Sequence, residues 1–118
     1  MPTSDPAHAL KQGDVVVVPF PYTDRLAEKR RPAVVVSSTA LHARQIVWLA
    51  MVTSVENAGW PCDIRIESLE GTGLRSQSVI RPWKLATVDR SRIIRVAGQI
   101  SDSENLELQK SLADALSP

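Results

Sequence analysis

One cysteine, Cys62, is all this chain of 118 residues contains, so no internal disulfide can form. Histidine is nearly as scarce. The two present lie far apart, which leaves no spacing for a structural zinc site, and no metal or other cofactor is expected. Cys62 itself reads as a small, partly buried residue starting a strand. No segment reaches the roughly 18 apolar residues of a membrane span, and the N-terminus has no apolar signal core. A cytoplasmic protein with no membrane partner is therefore expected. Neither sign of charge is in surplus, because 14 Lys and Arg against 13 Asp and Glu leave a net charge of +1. The chain is not a generally basic nucleic-acid binder, and any phosphate binding must come from local clustering. Only five aromatic residues are present, so Trp48 is expected in the core.

What is present argues for one folded domain, since 43% of the residues are hydrophobic. Residues 1–11, with Pro2 and Pro6, read as a mobile lead-in, and 12–118 as a single domain. Val15 to Val18 and Val34 to Val36 are β-branched runs too short for helices, so they read as buried strands at about 14–19 and 32–37. Ile46 to Ser54 is the clearest strand. Asp63-Ile64-Arg65-Ile66-Glu67 alternates strictly, which turns Ile64 and Ile66 to a core. Ser78 to Arg81 begins another strand, and 93–100 the last. Asn57 to Pro61 and Gly71 to Gly73 are turns. Ser101-Asp102-Ser103-Glu104 matches a capping box, and Leu108, Leu112, Ala115 and Leu116 then share one helical face. Short strands followed by one amphipathic helix predict a small, strongly bent sheet or barrel, mainly β, packed by that helix.

Charge is segregated along the chain. Residues 25–31 hold Arg25, Lys29, Arg30 and Arg31 against Glu28, whereas 101–118 hold Asp102, Glu104, Glu107 and Asp114 against Lys110. The basic segment falls in a long predicted loop between the first two strands, and long loops on small β-domains tend to be functional. Arg31 precedes Pro32, which biases it towards an extended backbone. It reads either as a solvated loop arginine or as a guanidinium that forks onto two phosphate oxygens. Thr53 ends an apolar strand and is either structural or a hydroxyl that reaches a cleft, with Ser54 as the fallback. Trp60 and Trp83 adjoin Pro61 and Pro82 in predicted surface turns, and Trp83 sits beside Arg81 and Lys84. Aromatics with interleaved cations can stack bases and hold a single-stranded backbone. His42 is the only histidine within the domain and lies in a connector, so no proton acceptor is assigned.

The ordered set Gly13-Asp14-Val15-Val16, Pro19-Phe20-Pro21-Tyr22-Thr23-Asp24, Arg31-Pro32-Ala33-Val34-Val35-Val36, Trp48 to Ser54 and Ser78 to Lys84 resembles the MazF/PemK toxins of bacterial toxin–antitoxin pairs. It runs in family order over roughly residues 11–100. The resemblance implies an SH3-like barrel, a homodimer, and a metal-independent, sequence-specific endoribonuclease that cuts single-stranded RNA, mRNA in particular, at short sequences. It implies that Arg31 and Thr53 are catalytic. It further implies attack by the ribose 2′-OH, giving a 2′,3′-cyclic phosphate and a 5′-OH, and neutralisation by an acidic antitoxin. Arg25, Lys29, Arg30, Ser54, Trp60, Ser78, Arg81, Trp83 and Lys84 are the candidate RNA contacts. The family's loop before the arginine is often glycine-rich, whereas here Arg25 to Arg30 holds no glycine. Two alternatives share the fold: a non-catalytic toxin that binds a protein target such as gyrase, and a degenerate member that binds only RNA or antitoxin.

Overall fold

A computed structural model describes residues 9–20 and 29–118. Six strands form one sheet in the order β4-β5-β3-β2-β1-β6: β1 (Asp14–Phe20), β2 (Lys29–Val35), β3 (Ile46–Ser54), β4 (Ile64–Arg65), β5 (Ser78–Asp89) and β6 (Arg95–Gln99). Every pairing is antiparallel. A short helix α1 (Thr39–Ala43) joins β2 to β3, and α2 (Asp102–Leu116) closes the chain. The sheet curls strongly into a half-barrel, mainly β, as the strand pattern and the SH3-like expectation both require. Among the described residues no helix is long and apolar enough to cross a membrane.

The valine runs are continuous because their strands are buried on both faces. Val15, Val34, Ala50 and Val52 pack with Ile64, Ile66, Ile80 and Leu108 of α2 on one side. Val16, Val18, Ala33, Val35, Val47, Leu49 and Met51 pack on the other with Leu10, which lies within the expected lead-in. Strict alternation thus feeds two small cores from the same strands. The alternation of Ile64 and Ile66 holds, since both are buried while Arg65 is exposed.

Two of the sheet's irregularities position the site. Ala50 pairs with Leu85 but Met51 pairs with Arg81, so Pro82, Trp83 and Lys84 are extra residues on β5. Proline has no amide hydrogen to give to a ladder, and a bulge there bends the strand. Pro82 therefore does not end the strand, and Trp83 stands in β5 rather than in the expected turn. The second irregularity is where β2 leaves β3. Their ladder covers only Ala33↔Met51, Val34↔Ala50 and Val35↔Leu49. The next residue of β2 is Pro32, which cannot donate, and the strands part there. The outer half of β2 keeps its pairing with β1, through Val18↔Arg31, Pro19↔Arg30 and Phe20↔Lys29. Lys29 to Arg31 consequently belong to a strand, whereas the sequence reading put them in a loop. Backbone pairing with β1 does not depend on their charge. The first part of that loop, Arg25 included, lies outside the described residues.

The capping box forms as expected. The Ser101 hydroxyl accepts from the Glu104 amide at 3.1 Å, and the Glu104 carboxylate accepts from the Ser101 amide at 3.1 Å. The same buried carboxylate also accepts from the Glu67 amide at 2.8 Å, tying α2 to the chain just after β4. The helix face divides along its length. Leu108 is fully buried and Leu112 partly so, but Leu116 is 81% exposed because the last turn runs past the core. Trp48 is also exposed, contrary to its expected core role. Val47 and Leu49 take the inward positions on one face of β3, which leaves Trp48 on the other, beyond the packed part of α2.

Candidate functional site

The parting of β2 and β3 opens a cleft of about 580 Å³. Arg31 and Thr53 lie two residues beyond the last ladder pair on their respective strands, so the register that pairs Ala33 with Met51 sets them opposite each other. Both line the cleft, with Arg30 and Pro32 from β2 and Val52 and Ser54 from β3. Asn57 follows from the short 3-10 turn Val55–Asn57. Val17, Ser78, Arg95 and the segment Gly73 to Ser76 complete the wall. Four arginines, Arg30, Arg31, Arg75 and Arg95, therefore meet here, and no aspartate, glutamate or histidine is among the described lining residues. That gives a chain of nearly balanced charge a strongly cationic concavity, in which hydroxyls and the Asn57 amide stand among apolar residues such as Val17, Val52 and Leu74.

Glycines bring Arg75 to the cleft. A Cβ on Gly98 of β6 would run into the Gly71 carbonyl oxygen and lie 2.6 Å from the Thr72 carbonyl carbon. A Cβ on Gly73, whose φ is +77°, would lie 2.5 Å from the Ala97 carbonyl oxygen. Bare backbone at both places lets the 71–74 turn lie flat on β6, where the Gln99 amide donates to the Gly71 carbonyl at 2.9 Å. Buried Thr72 locks the turn, its hydroxyl donating to the Leu69 carbonyl at 2.6 Å and accepting from the Leu74 amide at 3.1 Å.

The hydroxyls are held as well. Thr53 Oγ1 accepts from Asn57 Nδ2 at 3.0 Å, and the Ser54 hydroxyl caps the 3-10 turn by accepting from the Glu56 amide at 3.4 Å. Ser78 is buried, and its hydroxyl donates to the Ser76 carbonyl at 2.8 Å.

Of the other candidate contacts, Lys29 is exposed at the start of β2 but does not line the cleft. Arg81 is buried and committed elsewhere. Its Nε and Nη2 donate to the two carboxylate oxygens of Asp63 at 3.1 and 3.0 Å, and Nη2 also reaches the Asn57 carbonyl at 2.7 Å. Asp63 further accepts from the Gly59 and Trp60 amides, each at 3.1 Å. Burial works to raise the Asp63 pKa. The Arg81 hydrogen bonds, the two amides and the arginine's charge outweigh it and hold the carboxyl below its ordinary range. Trp60 covers the guanidinium at 4.6 Å and is itself half-exposed. Arg81 is thus a clamp for the 57–63 segment rather than an open phosphate contact. Trp83 is outside the cleft, in a second, apolar groove with Trp48, Leu85, Leu112 and Leu116, and Lys84 lines neither. Cys62 is exposed in the turn before β4 with φ +66°, not partly buried as expected. His42 is buried far from any such role. Its Nδ1 lies 3.0 Å from the Leu10 carbonyl oxygen and its Nε2 2.7 Å from the Ser37 hydroxyl.

Sequence reasoning missed Asn57, Arg75, Ser76 and Arg95. Asn57 read as a turn residue, and the others reach the cleft only because β6 lies beside β1 and carries the 71–76 segment with it.

The curled, six-stranded antiparallel half-barrel with its C-terminal helix places the chain in the class of small SH3-like barrels. Residues 11–116 match the family of PemK-like, MazF-like toxins of type II toxin–antitoxin systems, and the chain belongs to that family. No curated protein matches it by sequence. Among solved structures it is similar to MazF from Deinococcus radiodurans, with a TM-score of 0.72 and 22% identity over 92% of this chain and 97% of that one. It is also similar to an endoribonuclease in complex with its cognate antitoxin from mycobacterial species, with a TM-score of 0.74 and 16% identity over 92% and 95% of the two chains. A MazE–MazF complex from Deinococcus radiodurans gives 0.71 and 21% over 93% and 97%.

Proposed function

We propose that this toxin is an endoribonuclease that cuts single-stranded RNA in the arginine-lined cleft, with Arg31 and Thr53 as its catalytic residues. The observation that carries the reading is the meeting of these two side chains, singled out from sequence, across the mouth where β2 and β3 part. The ribose 2′-oxygen attacks the adjacent phosphorus, the bond from phosphorus to the 5′-oxygen breaks, and the 2′-OH loses a proton while the leaving 5′-oxygen gains one. The products are a 2′,3′-cyclic phosphate and a 5′-OH. Arg31 stabilises the charge that grows on the phosphorane oxygens, and Thr53 donates a hydrogen bond to one of them. An arginine is a poor proton acceptor near neutrality, and the described lining offers no carboxylate or imidazole. The side chains therefore contribute alignment and charge stabilisation rather than strong-base catalysis. Arg30, Arg75 and Arg95 hold the flanking phosphates, and Ser54 and Ser76 add hydroxyl donors, while buried Ser78 spends its hydrogen on the Ser76 carbonyl.

The antitoxin belongs to the same reading. An acidic, partly disordered segment laid over the cleft would meet the same arginines as RNA and compete with it. So does a homodimer, because Trp48, Trp83, Leu85 and Leu116 expose apolar surface around one groove that isologous pairing would bury.

Incubating the protein with single-stranded RNA in EDTA tests the chemistry. The reading expects cleavage intact without metal, fragments ending in a cyclic phosphate, and an all-DNA strand of the same sequence left whole. Cleavage abolished by EDTA and restored by magnesium would overturn it, and so would cutting of the DNA. No cleavage under any condition would favour the alternatives in which the toxin binds a protein target or merely holds RNA.

A further inference from the structure

We propose that Asn57, pinned by Arg81, is a positioning residue that sets the direction of the Thr53 hydroxyl proton. The inference rests on the reading above that Thr53 acts on the scissile phosphate. A threonine hydroxyl has one hydrogen to give and two lone pairs to receive. Left alone near the end of a strand, it can turn that hydrogen to a local backbone carbonyl as readily as to a ligand. Here Asn57 Nδ2 donates to Oγ1 at 3.0 Å and occupies an acceptor site. An amide NH2 cannot accept, so the Thr53 hydrogen must point away from it. Thr53 lines the cleft that Arg31 shares, and that side is open to the hydrogen.

Asn57 is itself held from outside the cleft. It ends the 3-10 turn that follows β3 directly, which returns it over Thr53. Its carbonyl accepts from Arg81 Nη2 at 2.7 Å. Arg81 comes from β5, on the far side of the 57–63 segment, and is fixed on Asp63 through two nitrogens and under the Trp60 ring. A rigid path thus runs from Asp63 and Arg81 through the Asn57 backbone and amide to the Thr53 oxygen. Arg81 and Asp63 act through Asn57, and neither touches the reacting phosphate.

A double-mutant cycle on full-length protein, with an RNA that the wild type cuts, tests this. The variants are Asn57→Ala, Thr53→Ala and both together, with kcat and KM measured for each. Asn57→Ala should lower kcat on the order of tenfold with KM little changed, short of the hundredfold or more expected for removing the donor itself. In the Thr53→Ala background the same change should cost less than about twofold, because the hydroxyl it steers is gone. Asn57→Asp adds a signature that a structural role would not produce. Its ionised carboxylate accepts from Thr53 and turns the hydrogen away from RNA, so activity relative to wild type should be lowest near neutral pH. That ratio should recover as the pH falls towards the ordinary carboxyl range near about 4, where the protonated acid can donate again. This near-isosteric variant carries the test if Asn57→Ala does not fold. A wild-type kcat in Asn57→Ala, equal losses in both backgrounds, or a flat pH ratio in Asn57→Asp would overturn the proposal; equal losses would mean that Asn57 contacts RNA itself. A wild-type rate in Thr53→Ala would instead overturn the underlying reading of Thr53.

Discussion

Arg81 carries a charge that RNA would attract, yet its guanidinium is turned to Asp63, 18 residues away in sequence. Nothing local in the sequence signals that pairing. Arg81 looks the same as Arg30 until the fold brings Asp63 beneath it, and the two arginines then take different tasks. The pair has a stability consequence with a definite sign. The folded pKa of Asp63 is depressed, so its contribution is present above the unfolded value of about 3.9 and is lost as the pH falls through the folded pKa. Asp63→Asn should therefore melt below wild type between pH 5 and 7 by a steady margin, which narrows below about pH 4 as the wild-type carboxyl takes up its proton. Thermal melts across that range check this; a margin that stays constant well below pH 4 would show that folding does not lower the Asp63 pKa. Arg31, Thr53 and Arg81 all sit within motifs of contiguous residues, but only the first two line the cleft, because the partner that takes Arg81 away is set by the fold. Asn57 was not legible in the sequence, since its partner is a side chain presented only once β3 turns into the 3-10 segment.

At the scale of elements, local patterns were read well wherever local physics decides. β3 spans the expected Ile46–Ser54, and the capping box at Ser101 forms. Departures occur where a neighbouring strand decides instead. Lys29 to Arg31 look like loop by composition but pair with β1, and Pro82 looks like a stop but sits in a bulge. The cleft itself arises from a proline that cannot donate on the side where β3 would otherwise continue. Gly98 is the element-scale device most open to test, since its missing side chain lets the 71–74 turn lie on β6. The atoms that a Cβ would meet are backbone and cannot swing aside. Gly98→Ala should cost roughly 1–3 kcal/mol, in the range of other overpacked sites. It should also weaken RNA binding by moving Arg75 and Ser76 from the cleft wall. Denaturant unfolding alongside RNA titration checks both, and a variant with wild-type stability would mean that the turn can shift freely.

Seen whole, the molecule has a net charge of only +1, yet its cleft gathers four arginines with no acidic residue among the described lining. Composition alone therefore hides this local concentration of charge, and the segregated basic segment accounts for only Arg30 and Arg31 of it. The acidic C-terminal stretch forms α2, where Glu104 is buried as a structural carboxylate. The apolar groove collects Trp48, Trp83 and Leu116, whose exposure was not legible because helical and strand periodicity give a side chain's face but not how far the neighbouring element extends. The central claim is that this cleft breaks RNA and that Arg31 stabilises the transition state. The most direct test is the single-turnover cleavage rate of Arg31→Ala on saturating RNA, set against wild type and Arg31→Lys. Losing such a charge-stabilising donor should slow cleavage on the order of a hundredfold or more with melting unchanged, and the lysine should remain badly impaired because it cannot fork to two oxygens. An Arg31→Ala protein that cuts RNA at the wild-type rate would contradict the account.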